Sequence, residues 1–319
     1  MTKNSENHDN GAATPGSAAH RLFVRMLKSL PQGVVRLAAS PYIAGERLFD
    51  ALFIADRLWS EQKILSTLDV LGEDVASIAD IDAYAAEFHK LIDELRVRPH
   101  ANISLKLTAL GQELDERDCL RRAREIVEHA REVDSFVRLD MEDHETVTST
   151  LRIYRELRTD FDNCGIVLQS RLFRTRDDVA ALTELRANVR LCIGIYPEPA
   201  SIALVDKDAM KRELLELAEQ MWKNGQHVAL ATHEEWVIRE ALKRAARLGK
   251  ADTELEVQML LGVPRQHLQR ELVERGIKVR LYVPYGRQWH AYSMRRLEYN
   301  PDMLKMTAAN VIGGLFRRR

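Results

Sequence analysis

Short runs crowded with apolar and β-branched residues alternate along this chain with longer stretches whose apolar positions recur every three or four residues. The runs are KILSTLDVL (63–71), ANISLKLTAL (101–110), SFVRLDME (135–142), CGIVLQS (164–170), NVRLCIGIY (188–196), HVALATH (227–233), ELEVQMLLG (254–262) and IKVRLYVPY (277–285). Their length and residue types predict strands, and the stretches between them predict helices. DIDAYAAEFHKLIDELR places Ile81, Tyr84, Phe88, Leu91 and Leu95 on one helical face, and AMKRELLELAEQMWKNG stops at Gly225. Repeated strand–helix alternation puts the chain in the α/β class. We expect a distorted (βα)8 TIM-type barrel with N-terminal helices and a C-terminal helix over the barrel mouth. An open doubly wound sheet is the alternative, but no G-x-G-x-x-G follows a strand and no Walker A sequence occurs.

The same pattern divides the chain. Residues 1–20, MTKNSENHDNGAATPGSAAH, are polar and are expected to be a disordered tail without the apolar core of a signal peptide. A helical segment is expected over 21–62, the barrel over 63–305 and a short tail over 306–319. No apolar run reaches the roughly 18 residues of a membrane helix. The closing NVIGGLFRRR has a composition that an anionic surface would attract, although a frayed basic tail is the preferred reading.

With 47 basic against 48 acidic side chains in 319 residues, no net field draws nucleic acid, so charge recognition must be local. Cys119, Cys164 and Cys192 are far apart and match neither a zinc pattern nor a disulfide framework, which suits packing residues in a reducing cytoplasm.

Active sites of such barrels lie at the C-terminal ends of the strands. That filter selects Lys106, Asp140, Gln169, either Arg190 or Tyr196 around the fifth strand, His233, and Tyr282 with Tyr285, together with Tyr292, Arg295 and Arg296 on the helix after the eighth strand. Lys106 shares a face with Ser104 and Thr108 and needs a partner inside the barrel; Asp140, one strand on, is the expected one. Such a pair serves equally as a site for a substrate ammonium or as a buried ion pair that fixes the barrel. His233 with EDHE (142–145) raises a metal, but H-x-H and H-E-x-x-H are both absent, so a hydrogen-bonding histidine is expected and no metal. Tyr292, Arg295 and Arg296, at i, i+3 and i+4, share a helix face, and two guanidinium groups grip one carboxylate well. An isolated RR pair is more often a solvated turn, here beside Glu298; framing by Trp289 and Tyr292 favours the anion site.

Taken in order, ISLKLTALG, RLDMED, IVLQS, RLCIGIY, ATH and YVPYGRQWHAYSMRRL resemble the proline dehydrogenase family over about residues 41–301, with YIAGERLFDAL and STLDVLGE adding to the likeness. The resemblance implies an enzyme with non-covalent FAD that oxidises L-proline to pyrroline-5-carboxylate by hydride transfer to the flavin. It also implies reoxidation by a membrane quinone, a separate pyrroline-5-carboxylate dehydrogenase as pathway partner, and peripheral membrane contact at the inner face. By position, Arg295 and Arg296 would hold the proline carboxylate, and Lys106 with Asp140 would lie near the amine. Tyr282, Tyr292 and Leu260 would enclose the ring, Tyr282 crowding a ring hydroxyl. Gln169, Arg190, Thr232 and His233 would contact the flavin, and Glu46 would pair with Arg295 as a gate. The chain departs from the family at Ile193, where a lysine is usual, at Tyr299, where a glutamate is usual, and at Glu234, which follows ATH in place of asparagine or aspartate. Two readings from other classes are a Schiff-base aldolase using Lys106 and a proline sensor that has lost flavin through Ile193.

Overall fold

All eight runs contain strands: β1(Leu65–Val70), β2(Ala101–Leu105), β3(Val137–Leu139), β4(Cys164–Gln169), β5(Asn188–Cys192), β6(His227–Ala231), β7(Glu256–Leu260) and β8(Lys278–Tyr285). They pair in chain order into a closed parallel barrel, and β8 returns to β1 with Ser66 opposite Leu281 and Thr67 opposite Tyr282. The computed structural model describes residue 25, residues 31–72 and residues 77–299, so the expected tails at 1–20 and 306–319 lie outside the described residues. The chain divides into two units, Ser40–Trp289 with the barrel, and Met1–Ala39 together with His290–Arg319.

The strands are shorter than the apolar runs that announced them. After Leu105 the chain leaves the sheet, and Thr108–Leu110 form a 3₁₀ turn closed by Gly111 at φ 84°. Lys106 and Asp140 therefore each sit one residue beyond a strand, not inside one. Continuous apolar runs do not distinguish strand from helical turn by periodicity, which explains the difference.

The barrel unit's helices are α2(Leu48–Gln62), α3(Ile78–Leu95), α4(Glu116–Glu132), α5(Val147–Asp160), α6(Thr175–Ala181), α7(Lys207–Lys223), α8(Glu235–Arg247) and α9(Gln266–Glu274). The other unit holds α1(Gln32–Ala39) and all but the first residue of α10(Trp289–Tyr299). Short polar side chains start several helices by satisfying orphan amides. Asp115 accepts from the amides of Arg117 at 2.9 Å and Asp118 at 3.1 Å, and Asp206 accepts from Ala209 at 2.6 Å. α3 buries the predicted stripe of Ile81, Tyr84, Phe88, Leu91 and Leu95. α2 packs on β1 and β8 through Ala51, Leu52, Ala55 and Leu58, covering the seam that a helix following β8 would cover in a regular barrel.

Strand alternation sorts the barrel residues into two sets. Leu68, Ile103, Leu139, Ile166, Leu191, Leu230, Val257 and Leu281 are buried beneath the helices. Thr67, Asn102, Arg138, Arg190, Glu256, Gln258 and Arg280 have the opposite parity. Several of these bond across strands that are not neighbours, as Arg190 on β5 does to Gln258 on β7 at 2.6 Å, so the contacts run through the lumen. Barrels of this type usually fill the lumen with branched apolar side chains; this one fills it with hydrogen-bonded polar groups.

Toward the N-terminal ends of the strands, Arg280 Nε and Gln258 Nε2 both donate to Glu256 Oε1, at 2.8 and 2.6 Å. Arg138 donates to the carbonyl and side-chain oxygens of Asn188, each at 2.6 Å, and to the Ile166 carbonyl at 3.2 Å. Gly165 makes room for that guanidinium, since a Cβ there would collide with Arg138 Nη1 and the Asn188 carbonyl. Burial, joined by the like charge of Arg190, pulls Arg138 down to about 9. For Glu256 burial opposes ionisation, but Arg280, His227 and the bond from Gln258 outweigh it and bring the carboxyl down to about 2.

A carboxyl held below its ordinary 4.5 contributes stability that is present above that value and lost as pH falls toward 2. The contribution is about 3 kcal/mol. Denaturant titrations at a series of pH values should show Glu256→Gln less stable near neutrality but with a flatter acid limb than the parent; parallel limbs would contradict the assignment.

Candidate active site

Above this floor the polar column continues to the C-terminal ends of the strands. Arg190 passes from Gln258 to Asp140, its Nη1 donating to Oδ1 at 2.7 Å. Ser104 Oγ donates to the same oxygen at 2.6 Å, and Tyr282 Oη donates to Oδ2 at 2.8 Å. The Arg190 guanidinium carbon lies 5.2 Å from the centre of the Tyr282 ring. Asp140 is thus fixed by three donors from β2, β5 and β8.

The expected pairing of Lys106 with Asp140 gives way to another. Lys106 Nζ donates to Asp69 Oδ1 at 2.7 Å, with both side chains buried. Asp69 stands in register with Ser104, whose face Lys106 shares, so the lysine reaches back onto β1, while Arg190, Ser104 and Tyr282 occupy Asp140. Burial disfavours the charged amine, but Asp69 above all, then Tyr282, Tyr84 and Asp140, hold it well above the usual lysine range. Lys106 is therefore an ammonium and a poor nucleophile, which counts against Schiff-base chemistry. Burial in turn pushes the Asp69 carboxyl up. Asp69 was missed in the sequence, although an acid inside the apolar run STLDVL is itself a signal.

Around the rim, Gln169 Nε2 donates to the Glu142 carbonyl at 2.5 Å, and Thr108 Oγ1 donates to Glu142 Oε2 at 2.6 Å. Gly194, at φ 98°, lets the exit of β5 pass close to Gln169, because a Cβ there would strike Gln169 Oε1. The amide of Leu260 donates to His233 Nε2 at 3.0 Å, which places the ring proton on Nδ1. Thr232 Oγ1 accepts from the Glu234 amide at 3.2 Å. Leu260 is half-buried and stands opposite Tyr282 in the β7–β8 register. Tyr285 has the opposite parity to Tyr282 and its hydroxyl faces Glu87 on α3 at 3.5 Å, so it leaves the candidate set. Ile193 packs partly buried against the core.

Among the buried polar atoms at this end with no hydrogen-bond partner among the described residues are Arg190 Nη2 and Gln169 Oε1, with Asp69 Oδ2 deeper in the site. The first is a donor and the second an acceptor, so together they suit a polar heterocycle better than a lone ion. Among the described residues no group of three or more His, Cys, Asp or Glu side chains is arranged to hold a metal. Burial raises the thiols of Cys119 to about 12 and of Cys164 and Cys192 to about 11, which leaves them unreactive.

In α10, described by itself, Arg296 Nη1 donates to Tyr292 Oη and the guanidinium lies 5.0 Å from that ring's centre. The side chain of Arg295 lies outside the described residues, and with it the expected contact to Glu46, which is exposed in the segment before α2.

A family model described as proline dehydrogenase matches residues 55–195 and 205–309. Proline dehydrogenase of Deinococcus radiodurans is 36% identical over 287 residues, spanning 88% of this chain and 90% of that protein. Proline dehydrogenase 1 of Bacillus subtilis is 33% identical over 284 residues, spanning 89% and 92%. Among solved structures, proline utilization A from Bdellovibrio bacteriovorus, inactivated by N-propargylglycine, superposes with a TM-score of 0.78 at 23% identity. That match covers 88% of this chain but 37% of the larger protein. Proline utilization A from Corynebacterium freiburgense gives 0.71 at 18% identity, covering 91% and 34%. At these identities the superpositions speak for the barrel alone.

Removing one partner of a buried ion pair strands the other charge. Lys106→Met should therefore destabilise the protein by about 3–5 kcal/mol, and adding Asp69→Leu should restore much of the loss. Denaturant midpoints of the two single variants and the double variant measure the coupling; simple additivity would mean that the pair does not act as a unit.

Proposed function

The chain belongs to the proline dehydrogenase family, and on that premise we propose that its barrel mouth oxidises L-proline to pyrroline-5-carboxylate with non-covalently held FAD. Two unpartnered buried atoms, Arg190 Nη2 and Gln169 Oε1, carry the reading. The polar edge of a flavin offers carbonyl and imine acceptors together with an N–H, so it can satisfy both. Gln169 and Arg190 are assigned to that edge, with Thr232 and His233, whose Nδ1 carries a proton, as further contacts. When bound, the flavin accepts a hydride from the carbon beside the substrate nitrogen and supplies the redox chemistry.

Everything else falls to side chains of this chain. Arg295 and Arg296 are assigned to the substrate carboxylate because adjacent guanidinium groups on one helix turn can grip it in a planar fork. Leu260 and Tyr282, neighbours in register, supply an apolar wall for the ring, and Tyr292 is assigned to its remaining face. Asp140 and Lys106, each held by the contacts described above, set the local charge around the amine, so the site is organised before substrate arrives. Glu46 is assigned as a partner of Arg295 that closes over bound substrate.

The acceptor is assigned as a membrane quinone, reached through peripheral contact at the inner face of a cytoplasmic location. A separate pyrroline-5-carboxylate dehydrogenase is assigned to consume the product. No helix among the described residues is long and apolar enough to cross a membrane.

The test is the visible spectrum of the FAD-loaded protein mixed with L-proline without oxygen. Bleached flavin bands are expected; unchanged bands would remove proline as substrate. Arg296→Met should raise the half-saturating proline concentration about tenfold to a hundredfold with flavin still bound. A variant that instead sheds its flavin would argue against the carboxylate assignment.

A further inference from the structure

A secondary amine that arrives as an ammonium has no lone pair to stabilise the carbon as a hydride departs. One N–H proton must leave first, and a carboxylate at the mouth is the natural acceptor. Three carboxylates have been placed there. Asp140 is occupied by three donors, and Asp69 is fully buried on Lys106. Glu142 differs from both. It is half-buried where Asp69 is fully buried, one oxygen accepts from the Thr108 hydroxyl at 2.6 Å, and the Thr108 amide adds a hydrogen bond, so a single residue holds it where three hold Asp140.

Its position follows from the strand exits. Leu105 and Leu139 are the last residues paired between β2 and β3, Lys106 and Asp140 come next, and the bond from Thr108 to Glu142 ties together the two segments that continue past them. Its own carbonyl accepts from Gln169 at 2.5 Å, and Gln169 is a residue assigned to the flavin edge.

We propose that Glu142 takes the proton released by the substrate's ring nitrogen, an assignment that rests on the proline-oxidising reading above. The ammonium and the carboxylate become a neutral amine and a carboxylic acid; a hydride can then leave carbon for a bound flavin, which would make the ring a protonated imine whose remaining N–H proton passes to solvent to give the imine. The groups facing Glu142 suit the task. Thr108 bonds it from the exit of β2, and the charges of Lys106 at that exit, of Asp140 in its own segment, of Tyr84 on α3 and of Tyr196 beyond β5 are coupled to it. Burial raises the Glu142 carboxyl above its usual range, and Thr108 and the Lys106 ammonium temper the rise. Raising a carboxyl toward neutrality makes it a better proton acceptor there.

The experiment follows flavin reduction by L-proline in FAD-loaded full chain, anaerobically and across a pH series. It compares the parent with Glu142→Gln and Glu142→Asp. The parent rate should rise with pH through one ionisation. Glu142→Gln should be slower by about 10²–10³ near neutrality and lack that limb, whereas Glu142→Asp should keep it. Tetrahydrofuran-2-carboxylate, which has no N–H, should perturb the flavin spectrum of Glu142→Gln with parental affinity, showing an intact site. A parental pH profile in Glu142→Gln overturns the proposal, whether or not the rate falls uniformly. Failure of proline to bleach the parent protein overturns the proline reading itself, which separates the two failures.

Discussion

The structure depends on compensating charge inside a closed barrel. From the floor to the mouth, Arg280, Glu256, Gln258, Arg190, Asp140 and Tyr282 form an unbroken series of side-chain hydrogen bonds through the lumen. Each member satisfies the next. In an interior of low dielectric an unpaired charge is far more disruptive than a missing apolar contact, so the series must be complete or absent. Its middle link shows how tightly roles are fixed: Gln258 donates downward to Glu256 and accepts from Arg190 above, so its amide has only one useful orientation.

Much of the architecture was written in periodicity. Alternation of apolar runs with helical stripes specifies eight strand–helix units, and the polar residues at strand ends mark the mouth. Strand length was less legible, because ISLKLTAL is equally apolar on both sides of Leu105, where the sheet gives way to a 3₁₀ turn. The partner of Lys106 was not legible at all. Alternation within a run states which face a residue takes, but the stagger between runs decides which carboxylate it meets, and competition from Arg190, Ser104 and Tyr282 for Asp140 decides the rest. Tyr285 could be told from Tyr282 by parity alone, since three residues separate them and a strand turns one of them outward.

The same column links stability to readiness at the mouth. Arg190 is held by Gln258 and Asp140 while Nη2 has no partner among the described residues, and Gln169 is held through its Nε2 while its oxygen has none among them. Groups fixed on one side and unsatisfied on the other are already oriented for a ligand, so little ordering remains when one binds.

The helix covering the seam between β1 and β8 joins opposite ends of the barrel unit. α2 is made early, yet half of the surface that buries its apolar face belongs to the last strand, more than two hundred residues later by the numbering of Gln62 and Lys278. During synthesis that face stays without its full cover until β8 has emerged, and closure of the ring then brings the most distant pairing in the sheet together with the docking of α2. Contacts of such sequence separation form slowly and leave apolar surface open meanwhile. A nascent chain of this protein is thus most vulnerable to aggregation just before its final strand is available.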